Sequence, residues 1–175
     1  MVSGKKRLYI ALYPSGVSNK EERRYHWAFL VGPKNEGAAN VQVPGTKYHV
    51  KNRPVQGWIY EEVDVADVKS TVDLLARVTI AKVEDEDRLA GIMRKIPVVQ
   101  NDPNWRCRSW IADVLSRLKE DGKAVGTSEL DWPTIEALAR DYVGKKAAAQ
   151  RYAKVEELTL PKPMWNILEG KEVIP

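Results

Sequence analysis

A chain of 175 residues, 43% hydrophobic and 30% charged, has the size and composition of one globular domain, long enough to bury a core without disulfide or metal staples. Its single cysteine excludes an internal disulfide, and no stretch approaches the roughly 20 apolar residues of a membrane-spanning helix. The net charge of +4 is spread over 28 basic and 24 acidic residues that are interspersed, which leaves no concentrated basic face for nucleic acid, so a cytoplasmic protein without a nucleic-acid partner is expected.

In chain order, the first half reads as strands. The opening segment up to Gly16 has a very short apolar run interrupted by Tyr13 and Pro14, and it reads as a strand rather than a signal peptide. YHWAFLVG, from Tyr25 to Gly32, is apolar on both faces, the pattern of a central, covered strand. A Gly/Pro/Asn-rich loop follows from Pro33 to Thr46, long enough to be a functional surface feature. KYHVKN then reads as the partner strand of a hairpin. GWIYEEVDV and LLARVTIAKV are further strand candidates, although the junction between them fits a short helix as well.

After Val83 the period changes. EDEDRLAGIMRKI carries acids early, bases late and Leu89, Ile92, Met93 and Ile96 at helical spacing, with Pro97 as the stop. The next helix is expected from Asp102 as cap and Pro103 as first residue to Gly122 as terminator. A third begins at Ser128 or Asp131 and places Ile135, Leu138, Ala139 and Tyr142 on one stripe, with Gly144 as a bend or break. The tail reads as an arm docking on the body. The whole is expected to be one α+β domain over 1–175: strand-rich 7–83, helical 84–153 and a C-terminal arm over 154–175, with an antiparallel sheet packed against helices.

Cys107 falls on a helical stripe with Trp110, Ile111, Val114, Leu115 and Leu118. A packed structural cysteine belongs on such a stripe, and so does a nucleophile at a helix N-terminus, where the macrodipole and free N–H groups favour a thiolate. Arg106 and Arg108 would lower the thiol pKa further if their charge reaches it. In an extended strand His26 shares a face with Ala28 and Leu30, and His49 sits in what should be a neighbouring strand. If the two strands pair, one imidazole can hold the other in a fixed tautomer, as the third member of a triad does. Two histidines and one cysteine fall short of a closed zinc site, no CxxC or HxxxH spacing exists, and no phosphate-binding glycine motif is present, so neither metal nor cofactor is expected.

YHWAFLVGPK, followed by KYHVKN and then by a cysteine opening a helix, resembles the lecithin:retinol acyltransferase-like thiol enzymes, permuted members of the NlpC/P60 branch of the papain-like superfamily. The order His, His, Cys and its placement on strand, strand and helix match that group. The cysteine box does not: the family pattern Asn-Cys-Glu-His-Phe is replaced by Trp-Arg-Cys-Arg-Ser-Trp, and the loop between the histidines is longer than usual. This sequence shows no counterpart of the membrane-anchoring helix of the lipid-acting members, so a phospholipid substrate is not expected. The resemblance implies a permuted papain-like fold, with Cys107 as nucleophile, His26 as general base and His49 as orienting residue.

The expected function is therefore a cysteine-dependent hydrolase or acyltransferase acting on an ester, thioester or amide of a small or peptide-like substrate. Tyr25 and the Cys107 backbone N–H are candidates for oxyanion stabilisation, with Trp27, Trp105 and Trp110 as pocket walls. The alternative is a non-catalytic binding or scaffold protein in which Arg106, Arg108 and the tryptophans recognise an anionic or aromatic ligand or a partner protein.

Overall fold

Alternation of Leu8, Ile10 and Leu12 with Tyr9, Ala11 and Tyr13 makes β1 (Arg7–Pro14) a strand with two apolar faces, and both are buried in the computed structural model, which describes residues 4–175. Met1 to Ser3, part of the expected N-terminal segment, lie outside the described residues. β2 (Tyr25–Gly32), β3 (Gly45–Arg53), β4 (Gly57–Val65) and β5 (Ala76–Val83) follow, and the sheet order begins β4-β3-β2-β1-β5. β2 is thus the covered inner strand its composition predicts.

All these ladders are antiparallel, but the sheet as a whole is mixed. The C-terminal segment adds β7 (Met164–Asn166) and β8 (Lys171–Ile174) beyond β5, while β6 (Val125–Ser128) pairs with β5 separately. β7 runs parallel to β5 because the chain returns to the sheet only after a long helical crossover, the kind of connection a parallel pair requires. The expected arm therefore extends the sheet by two short strands, with β8 at its edge, and the purely antiparallel expectation is corrected.

Three helices cover one face: α1 (Glu86–Lys95), α2 (Cys107–Asp121) and α3 (Trp132–Ala148). Their apolar stripes form one core with Leu8, Ile10, Phe29, Val50, Val78 and Ile80 from the sheet. α1 is capped by Asp85, which accepts from the Arg88 N–H at 3.0 Å, and α3 by Asp131, which accepts from the Thr134 N–H at 3.1 Å. Gly144 does not divide α3, which continues to Ala148. α2 starts four residues later than expected, with Arg106 rather than Asp102 in the cap position. Asp102 instead closes a local turn, accepting from the Asn104 N–H at 2.9 Å, while Arg106 stays extended and donates its N–H to Ser109 Oγ at 3.0 Å. Cys107 is consequently the first residue of the helix. At the other end Gly122, at φ 66°, provides the left-handed stop the sequence predicts.

The opposite face is covered by the long loop after β2. Lys69, 2% exposed, donates to the carbonyls of Ala38, Ala39 and Val41. Arg77, fully buried, grips Glu36 with two hydrogen bonds of 2.6 and 2.9 Å. Gly45 ends the loop where a Cβ would lie 2.3 Å from the Val31 carbonyl oxygen, so only glycine fits. The loop is an anchored cover on the sheet face away from the helices. The segment 66–75, expected as strand or helix, is turn and coil that carries Lys69.

Candidate active site

β2 and β3 pair only over Phe29–Val31 and Thr46–Tyr48, and beyond that they separate. The opening between their free ends holds the three residues singled out from the sequence. Cys107 reaches it from the helix-covered side, where it belongs to the main core. His26 lies directly across from Tyr13 on β1, with ring centroids 6.0 Å apart, so it sits on the face turned away from the helices. His49 shares that face, because its neighbours Tyr48 and Val50 enter the helix-side core. All three line one cleft of about 420 Å³, together with Tyr25, Trp58, Arg23, Lys51, Arg106 and Arg108.

The two imidazoles form the first link of a chain. His26 Nε2 lies 2.8 Å from His49 Nδ1, and His49 Nε2 lies 3.1 Å from Glu61 Oε2. Burial works to raise the Glu61 carboxyl, but hydrogen bonds from Arg53, His49 and Lys51 outweigh it and hold it below the usual carboxylate range. An ionised carboxylate only accepts. His49 therefore donates from Nε2, its Nδ1 accepts from His26 Nε2–H, and His26 Nδ1 is left with a free lone pair. Burial, the neighbouring His49 and the Lys47 and Lys51 charges push His26 down to about 4. Burial and Lys47 bring His49 to about 4 as well, against the pull of Glu61. Both rings are neutral near pH 7, as this assignment requires.

Cys107 is 8% exposed. Its burial pushes the thiol pKa up, and the backbone N–H groups of Trp27 and Arg108, with the Arg106 charge, oppose that without cancelling it. Desolvation thus outweighs the helix terminus and the neighbouring charge, and of the two alternatives for Cys107 the resting thiol is the uncharged one. No hydrogen bond joins Cys107 to His26 among the described residues; the sulfur faces backbone donors instead. Those donors are first-turn N–H groups, which have no partner within the helix, and one from β2 where it has parted from β3.

The other candidates divide. Tyr25, Arg106 and Arg108 line the cleft. Arg108 is also paired with Glu136 at 3.0 Å. Trp27 and Trp110 are wholly buried and are core residues: Trp27 stacks edge-on to Trp132 at 5.0 Å, and Trp110 packs against Phe29 at 5.7 Å. Trp105 supports the cleft from behind, edge-on to Trp58 at 5.6 Å, and Trp58 supplies the wall. Glu61, Arg23 and Trp58 were missed by sequence reasoning. Glu61 had a signal: it stands opposite His49 in the β3–β4 hairpin register.

The chain belongs to the DUF6914 family, a family of unknown function, whose model matches residues 5–174. No curated protein and no solved structure matches it.

Proposed function

We propose that the protein is a cysteine-dependent hydrolase or acyltransferase with a permuted papain-like arrangement of the NlpC/P60 kind. The observation that carries this reading is the chain His26–His49–Glu61, which leaves His26 Nδ1 as a bare base in the cleft that Cys107 lines. An α+β fold with the cysteine at a helix N-terminus and the histidines on adjacent strands is consistent with it.

The proposed step begins with an uncharged thiol. His26 Nδ1 takes the proton as the sulfur bonds to the carbonyl carbon of an ester, thioester or amide, and the carbonyl electron pair moves to oxygen. The N–H groups of Cys107 and Arg108, which face the sulfur in the resting site, are the donors this reading assigns to the oxyanion. As the carbonyl reforms, the bond to the leaving group breaks and the leaving group takes the proton from His26. Water or another nucleophile then attacks the thioester, regenerating the thiol and releasing acid or transferred acyl product. Contact between base and thiol is not made in the resting site, as in many unliganded enzymes whose catalytic hydrogen bonds tighten only with substrate.

One observation favours a second reading. The buried, uncharged thiol without a histidine partner fits a binding protein that keeps the arrangement without turnover. Intact-protein mass spectrometry after incubation with activated aryl esters and thioesters separates the two. The enzyme reading predicts an acyl adduct on Cys107 that turns over, and that is absent from His26→Ala. An unmodified protein across the panel supports the binding reading.

A further inference from the structure

The cleft is lopsided in charge. Four cations line it, Arg23, Lys51, Arg106 and Arg108, against the single carboxylate of Glu22. Two of the four are already engaged within the protein. Lys51 lies 3.3 Å from Glu61, and Arg108 lies 3.0 Å from Glu136. The other two are not: Arg106 and Arg23 make no ion pair among the described residues, and Arg23 Nε is enclosed without a hydrogen-bond partner. An enclosed guanidinium nitrogen with nothing to donate to is costly unless a ligand supplies the acceptor.

The two free arginines have different origins in the fold. Arg106 is the extended residue just before Cys107, so its position is tied to that of the sulfur. Arg23 ends the single 3-10 turn before β2, on the connection that forms the wall beside Tyr25. Both arginines line the cleft that Cys107 and His26 also line. Trp58, only partly buried, offers apolar surface in the same cleft.

We infer that the substrate is an acyl compound bearing an anionic group, a carboxylate or phosphate, close to the reacting carbonyl, held by Arg106 and Arg23 with its apolar body against Trp58. Guanidinium forks match both oxyanions in geometry. This inference rests on the thiol-enzyme reading of the same cleft and adds to it the class of substrate.

The test uses two alkylating probes that differ in charge. Iodoacetate and iodoacetamide both form the S–C bond at Cys107 with loss of iodide, and only the first brings a carboxylate. The rate ratio of iodoacetate to iodoacetamide is measured on the full chain and compared with the ratio for a free-cysteine peptide. The expected ratio exceeds the peptide value by about ten-fold or more, falls toward it in Arg106→Gln and Arg23→Gln, and falls with added salt. Protection of Cys107 from iodoacetamide by acetate or by inorganic phosphate, at fixed ionic strength, says which anion the cleft favours. Alkylation by both probes at the peptide ratio overturns the anionic substrate while leaving the thiol reading intact. Absence of reaction with either probe removes the thiol reading, and the substrate class with it.

Discussion

His26 and His49 meet at 2.8 Å although their strands have stopped pairing at that level. The contact bridges an opening in the sheet, and Glu61 fixes its direction from the far side. A carboxylate at the end of the chain determines which nitrogen of each ring carries a proton, so the tautomer of His26 is set through His49 by Glu61.

Glu61→Gln therefore keeps the shape of the chain but removes the charge that orders it. Acyl-adduct formation on Cys107 is expected to fall by roughly 10- to 100-fold, less than the roughly 100-fold or greater loss in His26→Ala. Glu61 acts here as a positioning residue, so the pH profile distinguishes this from simple unfolding: the acid limb of Glu61→Gln moves, while its circular dichroism does not. Unchanged rate and profile in Glu61→Gln would remove the carboxylate from the account.

The same histidines tie stability to pH. Each is pushed from an ordinary value of 6.5 down to about 4 in the folded protein. Between those values the unfolded chain binds protons that the native site refuses. Their contribution is complete above about pH 6.5 and is lost as the pH falls toward 4. Urea unfolding at pH 7.5 and pH 5 is expected to show a lower midpoint at pH 5, and a smaller drop in the His26→Gln/His49→Gln double variant. An equal drop in both proteins assigns the acid sensitivity elsewhere.

Two tryptophans near the cysteine make opposite predictions. Trp110 is wholly buried between Phe29 and Tyr60, and Trp110→Ala is expected to cost about 3–5 kcal/mol in urea unfolding. Trp58 is part of the cleft wall and only partly buried, so Trp58→Ala should cost less stability and alter substrate preference instead. A Trp110→Ala protein as stable as the parent contradicts the packing described.

The Glu36–Arg77 pair anchors the loop cover. Arg77→Met leaves Glu36 nearly enclosed without its cation and is expected to destabilise by about 3–5 kcal/mol, with much of that recovered in Arg77→Met/Glu36→Gln. Additive losses in the double variant, measured in the same urea series, show that the two side chains do not act as a pair.

Much of this architecture was legible from periodicity. All six residues of the predicted α2 stripe, Cys107 to Leu118, are buried, and β1 and β2 have the faces their alternation predicts. What escaped was tertiary. The start of α2 turned on whether Asp102 caps a helix or closes its own turn, which local sequence leaves open. Glu61 becomes a partner of His49 only through hairpin register, and Trp58 displaces Trp27 and Trp110 from the cleft only because those two lie under the sheet. The thiol pKa likewise depends on how deeply α2 packs, a quantity no motif carries.

The most direct test of the central claim is the pH–rate profile of Cys107 alkylation by iodoacetamide in the folded protein and in His26→Ala. If His26 is the base for an uncharged thiol, the rate rises as His26 loses its proton near pH 4 and holds a plateau through neutrality, while His26→Ala reacts only as the thiol itself ionises at high pH. Identical profiles in the two proteins, or no reaction until denaturant is added, contradict it.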